Sequence, residues 1–171
     1  MKDDNYSPTS AKEICGKLMH TCYMGTDNSS AETRDRSKKI ADTVGSKHRV
    51  INFQPIFDAY HSLSNETLGI KLSFKKYGGS WRTDLALQNI QARSRMLLSY
   101  MLSQTEFETS KRQGFLLVLG SGNLDEGLRG YFTKYDCSSA DINPIASFSK
   151  IRLREYLSWN TKIHKHLTFI E

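Results

Sequence analysis

The chain has few of the features that mark several common classes of protein. It has three cysteines, Cys15, Cys22 and Cys137, with no Cys-x-x-Cys and no Cys/His pairing at zinc spacing. An odd count without such spacing argues against a disulfide framework and a structural zinc site, and leaves free thiols in a reducing cytosol as the expectation. The five histidines, His20, His48, His61, His164 and His166, also fall at no metal-ligating spacing. No apolar run approaches the roughly 20 residues that cross a bilayer. The longest near the centre is Phe115-Leu116-Leu117-Val118-Leu119. The chain opens Met1-Lys2-Asp3-Asp4-Asn5, with no apolar stretch of the secretory kind, so a cytoplasmic location without a membrane anchor is expected. There is no G-x-x-x-x-G-K-[ST] phosphate loop, no defensible Ser/His/Asp arrangement, no internal repeat and no low-complexity segment.

What is present is globular in character. The 171 residues suit one ordinary domain, at about 100–200 residues per domain. Hydrophobic residues make up 38% and charged residues 25%, which argues against wholesale disorder. Lys and Arg number 24 against 18 Asp and Glu, a net charge of +6 that suits anionic ligands, phosphates included. The basic residues are scattered rather than interleaved with aromatics, which argues against nucleic acid.

The order of elements points to a parallel α/β sheet. Ser10 with Glu13 three residues on predicts a capping box and a short helix before Gly16. The run from Lys17 to Met24 leans to a strand ending at Gly25, and a helix to Val44 follows with Gly45 as its C-cap. The run from His48 to Phe53 reads as a second strand closed by Pro55, which completes a βαβ unit. Asn65 to Thr83, with Gly78-Gly79-Ser80, reads as a surface loop. A long helix spans about Thr83 to Gln104, with Leu87, Ile90, Leu97, Leu98 and Met101 on its expected core face. Phe115 to Leu119 predicts a buried strand between Gly114 and Gly120, and Asn123 caps a helix through about Thr133. Tyr135 to Ser149 is turn-rich, Ile151 to Trp159 is helical, and Asn160 to Glu171 has no clear period.

Four constellations could carry chemistry. Gly120-Ser121-Gly122-Asn123-Leu124-Asp125-Glu126 leaves a strand and opens a helix, where backbone N–H groups and a partial positive charge receive anions in open parallel sheets. There Ser121 offers a hydroxyl and Glu126 a carboxylate for a metal; the same residues also describe a plain glycine turn with an ordinary cap. Tyr131 to Pro144 gathers Lys134, Asp136, Asp141 and several hydroxyls into a loop that reads either as a ligand loop or as irregular surface. Asn89 and Arg93, four apart, share one helical face. Lys150 at a helix start opposes the helix dipole, which hints at a nearby anion.

At these residues a family resemblance emerges. The runs LALQNIQARSRM, LLVLGSGNLDEGLRGYFTKYDCSSADINPI and SKIRLR, with TCYMGTDNSSAETR earlier, closely resemble the synthetase domain of eukaryotic-type glutamine-dependent NAD synthetase. The resemblance implies an α/β fold with a doubly wound parallel sheet of the adenine nucleotide alpha-hydrolase-like type. It implies ATP-dependent amidation of deamido-NAD (nicotinic acid adenine dinucleotide) to NAD through an acyl-adenylate, using ammonia derived from glutamine. No protein nucleophile is implied, only orientation and charge neutralisation. By matching motif, Asn89, Arg93, Lys134 and Asp141 resemble deamido-NAD contacts, Ser121 and Lys150 resemble ATP contacts, and Glu126 resembles a Mg2+ ligand. A homo-oligomer is also implied. The family's Ser-Gly-Gly-x-Asp-Ser pyrophosphate loop and its glutaminase domain have no counterpart in the sequence. The resemblance therefore implies a sheet lacking its first strand and phosphate loop, with residues 1–159 a partial synthetase domain and 160–171 a divergent tail. Such a chain is expected to be weakly active or inactive. The alternative is a non-catalytic nucleotide-binding or oligomerising fragment that associates with full-length synthetase.

Overall fold

The computed structural model describes residues 6–108 and 111–164. The chain divides into two compact units. One runs through Gln54 and resumes at Glu155; the other runs from Pro55 to Arg154.

The first unit is built around a βαβ turn. Helix α1 (Ala11–Leu18) leads into β1 (His20–Gly25), α2 (Ala31–Val44) and β2 (Lys47–Asn52). The two strands pair in parallel, from His20 opposite Lys47 to Gly25 opposite Asn52. β1 is rich in the Thr, Tyr and similar side chains that fit a pleated, half-buried surface, and all six of its residues are half-buried. Gly45 ends α2 as expected. Its φ of 83° lies in the left-handed region, and its N–H reaches the Ala41 carbonyl at 2.8 Å. Phe53, just beyond β2, is fully buried and ties back through its N–H to the Gly25 carbonyl at 2.7 Å.

The capping box expected at α1 forms only in part. Ser10 accepts the Glu13 N–H at 3.1 Å, but the Glu13 carboxylate does not return to Ser10. It takes the Thr9 N–H and hydroxyl (2.9 and 2.8 Å) and the Tyr6 hydroxyl (2.8 Å). These bonds hold the Glu13 carboxyl down at about 2, and the Lys17 charge assists.

The second unit is mainly helical. Helix α3 (Gln54–Leu68), which the sequence reading passes over, starts where Pro55 was expected only to end a strand. Proline is well placed in a first helical turn, where its missing N–H costs nothing. Phe57 is buried on α3 and stacks on Phe74, with centroids 6.0 Å apart and planes 12° apart. The loop expected from Asn65 to Thr83 is shorter than that, since α3 runs on to Leu68 and α4 starts at Trp81; the stretch between them is irregular apart from a 3-10 turn at Lys75–Tyr77. Helix α4 (Trp81–Thr105) is capped by Ser80, which accepts the Thr83 N–H.

The core face of α4 is rotated from the expected stripe. Leu87 is buried, but Leu97 and Met101 are exposed, and Met96, Ser94 and Ser103 are buried in their stead. Main chain comes close at Ser103, whose carbonyl accepts the Leu116 N–H at 3.0 Å.

The run Phe115–Leu119 is extended but is not the expected buried strand. It makes one isolated parallel bridge, Leu119 to Ile142, and Phe115, Leu117 and Leu119 are each more than half exposed. Helix α5 is also shorter than expected. It covers Leu124–Leu128 only, and Gly130 follows at φ 64°. Helix α6 (Lys150–Ile163) begins one residue before the expected start and continues past Trp159, with Thr161 buried. No helix among the described residues is long and apolar enough to cross a membrane. Cys15, Cys22 and Cys137 are free and half-buried.

Candidate functional site

The second unit gathers the sequence-predicted residues around two loops, 120–126 and 131–144. In the first, Gly120 and Gly122 are buried and Ser121 between them is exposed. Gly122 is required by close approach: a Cβ there would lie 2.7 Å from the Phe132 ring. Its carbonyl accepts from Asn143 Nδ2 at 2.8 Å, which joins the two loops.

Asn123 and Glu126 form a full capping box. Asn123 Oδ1 accepts the Glu126 N–H (3.1 Å), and Glu126 Oε2 accepts the Asn123 N–H (2.9 Å). One Glu126 oxygen is thus committed to the turn. Among the described residues no cluster of three or more His, Cys, Asp or Glu is placed to hold a metal. Glu126 therefore fits a magnesium ion only in company with phosphate oxygens, the usual way that cation is held.

The second loop is bound to α4 by side chains. Arg93 Nε donates to the Lys134 carbonyl at 2.8 Å, and its Nη2 donates to the Thr133 hydroxyl at 2.7 Å. Asn89, one turn earlier, is half-buried on the same face, as the four-residue spacing predicted. Asp136 lies at the centre of the loop and is buried. Its oxygens accept the N–H groups of Thr133 (2.9 Å) and Ser138 (2.8 Å). Burial alone would raise its pKa, but these hydrogen bonds, with the Arg93 charge, outweigh it and hold the carboxyl below its ordinary value.

Asp141 stands in for a strand partner. Its Oδ2 accepts the Val118 N–H at 2.8 Å, while its own N–H donates to the Val118 carbonyl at 3.1 Å. Tyr100 donates to the Ser139 carbonyl at 2.8 Å and reaches Asp141 Oδ1 at 3.3 Å. Desolvation, then the Asp141 charge, pushes the Tyr100 phenol above its usual value.

Arg93, Lys134 and Asp141 are therefore tied into one hydrogen-bonded assembly on α4. Ser121 and Glu126 lie on the loop that Asn143 joins to it. Lys150 stands apart in its reason for being there. Its backbone N–H donates to Asp125 Oδ2 at 2.6 Å, so a protein carboxylate already supplies the negative charge that a lysine at a helix start suggested.

Two features escaped the sequence reading. Tyr100 lies seven residues after Arg93, two helical turns along one face, and that spacing was the available signal. The other is a cavity of about 380 Å³ in the first unit, beyond the carboxyl ends of β1 and β2. Tyr23, Thr26, Asp27, Ser29, Arg34 and Asn52 are among its lining residues. Its signal was the polar run after Gly25, at the place where parallel sheets bind ligands.

Comparison with known proteins accounts for the arrangement. The NAD synthase family model matches residues 8–167. A glutamine-dependent NAD(+) synthetase of Dictyostelium discoideum is 47% identical over 159 residues, covering 93% of this chain and 22% of that protein. The crystal structure of a glutamine-dependent NAD(+) synthetase from Cytophaga hutchinsonii superposes with a TM-score of 0.78 at 26% identity, over 94% of this chain and 26% of the other. A glutamine-dependent NAD+ synthetase from Acinetobacter baumannii, solved with ADP, shares the fold at TM-score 0.70 and 18% identity, over 91% and 27% of the two chains. The chain thus spans under a quarter of its Dictyostelium relative. With a parallel α/β architecture, a glycine loop opening a capped helix and a polar loop clamped to α4, the chain belongs to the NAD synthase family.

Proposed function

We propose that this chain contributes the substrate-binding surface for ATP-dependent amidation of deamido-NAD to NAD. The observation that carries the reading is the clamp between Arg93 and the Thr133–Lys134 segment, within a chain that matches the NAD synthase family almost throughout. In this reaction ATP adenylates the nicotinate carboxylate, pyrophosphate leaves, and ammonia displaces AMP from the acyl-adenylate. The protein needs no nucleophile. It needs cations beside phosphates and fixed donors beside the reacting carbonyl.

Lys134 supplies a cation on a loop that Arg93 and Asp136 hold still, and Asn89 and Asp141 supply polar contacts along the same assembly. Ser121 and Lys150 are assigned to ATP. Glu126 would hold Mg2+ through its uncommitted oxygen together with ATP phosphates, and the ion would neutralise their charge. The cavity beyond β1 and β2 in the first unit has the volume of a small-molecule site. Ammonia enters from glutamine hydrolysis elsewhere in a longer enzyme. The chain is assigned to a cytoplasmic homo-oligomer.

The test supplies ATP, magnesium, deamido-NAD and ammonia to the chain and follows NAD formation, with calorimetric titration of each nucleotide in parallel. Binding of deamido-NAD, weakened at least tenfold by Lys134→Ala, supports the reading. Binding without turnover favours a non-catalytic nucleotide-binding fragment. Failure to bind deamido-NAD or ATP overturns both.

A further inference from the structure

Over the whole sequence the cations are scattered, but the turn before α4 is an exception. From Thr67 to Thr83 the chain has four cations, Lys71, Lys75, Lys76 and Arg82, and no carboxylate. That stretch alone is +4, against +6 for the whole chain. All four side chains are exposed, and none forms an ion pair among the described residues. Asp84, the next carboxylate along the chain, is engaged elsewhere. Its Oδ1 accepts the Lys75 N–H at 2.8 Å and its Oδ2 accepts from Gln88 Nε2 at 2.7 Å. Unneutralised like charges this close repel one another, and a bound anion relieves them.

Two aromatic rings stand among these cations. Tyr77 and Trp81 are 63% and 64% exposed. The Lys76 ammonium lies 4.5 Å from the Tyr77 ring centroid, and the Arg82 guanidinium lies 5.1 Å from that of Trp81. Four residues separate the two rings, so their Cα atoms are at most about 14 Å apart. The backbone beneath them is fixed. Phe74 stacks on Phe57, and its carbonyl accepts the N–H groups of Tyr77 (2.8 Å) and Gly79 (3.0 Å). The Thr83 hydroxyl donates to the Ser73 carbonyl at 2.9 Å, and a Cβ on Gly79 would collide with that same carbonyl. Rings and cations presented on a fixed turn lose little freedom when a ligand binds.

This surface is separate from the assembly around Arg93, which lies twelve residues beyond Trp81, about 18 Å along the α4 axis. Cations beside exposed rings match a repeat of phosphates and flat bases. A duplex hides its base faces, so the match is to a single strand. A lipid surface would draw the rings into hydrocarbon and desolvate the cations lying over them. We propose that the Lys71–Arg82 surface binds single-stranded nucleic acid, with bases stacked on Tyr77 and Trp81 and phosphates held by the four cations. This inference goes beyond the function proposed above, and either can fail without the other.

The experiment titrates labelled oligo(dT) and oligo(U) of about twelve nucleotides with the full chain and follows anisotropy. Salt is varied from about 50 to 200 mM; three or four phosphate contacts, at about −0.7 each, predict a log–log slope of about −2 to −3 and an affinity loss of about 20- to 50-fold. Trp81→Ala is expected to weaken binding at least about fivefold with the slope unchanged, and Trp81→Phe to recover most of the loss. Lys75→Gln combined with Lys76→Gln is expected to reduce the slope by about 1.4. All of these side chains are exposed, so each variant should melt within about 2 °C of wild type. Binding of both oligonucleotides, or of one in preference, supports the proposal, and the preference identifies the sugar recognised. Failure of both to saturate overturns it. Binding that Trp81→Ala leaves intact, or that Trp81→Phe weakens as much as Trp81→Ala does, overturns the stacking role. A slope unmoved by the double lysine change overturns the phosphate contacts. Binding to phosphatidylserine vesicles without binding to either oligonucleotide overturns the proposal in favour of a lipid surface.

Discussion

The two units fix their ligand-facing loops by different physical means. In the unit through Gln54, main-chain hydrogen bonds of a parallel strand pair set the geometry, and the cavity opens where the paired strands end. In the unit from Pro55 to Arg154, the extended run before Gly120 has a single bridge, and side chains do the tying: Arg93, Asp136, Asp141 and Asn143 each bond a loop's main chain. A ladder distributes its stabilisation over many equivalent bonds, so a single exposed side chain matters little to it. A loop tied by individual carboxylates and one guanidinium concentrates its geometry in a few groups. The first unit should therefore be sensitive to loss of its core, and the second to loss of single polar atoms.

The largest expected effect lies in the first unit. Phe53→Ala empties the site of a fully buried ring and should cost about 3–5 kcal/mol, read from the urea midpoint at constant slope. A loss near 1 kcal/mol would mean that the strand pair stands without this ring. Next comes Asp136→Ala in the second unit, which leaves the N–H groups of Thr133 and Ser138 without their acceptor. The expected cost is about 1–3 kcal/mol, with a larger proportional loss of deamido-NAD affinity than Phe53→Ala produces in any fraction that stays folded. If affinity and stability fall in parallel for both variants, the contrast between the units fails.

The smallest effect concerns Glu13. Its folded pKa, about 2, lies below the ordinary 4.5, so its contribution is present above pH 4.5 and is lost as pH falls towards 2. Glu13→Gln should lower the urea midpoint at neutral pH, and the gap from wild type should close as pH falls through that window. A gap independent of pH would show that the tether acts through shape rather than charge.

The same contrast explains how far the sequence could be read. The βαβ unit was legible because the strand-like run ending at Gly25, the C-cap at Gly45 and the run from His48 to Phe53 each announce their element locally. The long helix α4 was legible in extent but not in its buried face, because burial of Met96 and Ser103 rather than Leu97 and Met101 depends on segments distant in sequence, such as the one whose Leu116 N–H meets the Ser103 carbonyl. Phe115–Leu119 was misjudged as buried because its composition is that of a central strand, while the structure gives it one bridge partner. The site loops were recognisable from motif, and the spacing of Asn89 and Arg93 placed both on one face. What no local pattern could supply was that Arg93 turns its guanidinium to Thr133 and Lys134, 40 and 41 residues away.

The exposed run at Phe115–Leu119 has a practical consequence for handling the protein. Five consecutive apolar residues without charge or proline are a template for pairing between molecules when their edge is open. Lys111 and Arg112, just upstream, are the nearest charges on the amino-terminal side, and like charges so placed oppose the in-register alignment of two copies. That protection is electrostatic and weakens as the Debye length shrinks from about 10 Å at 0.1 M salt to about 3 Å at 1 M. Solutions of this chain should therefore stay clear at low ionic strength and turn cloudy as salt is raised, the reverse of a protein kept apart by shape alone.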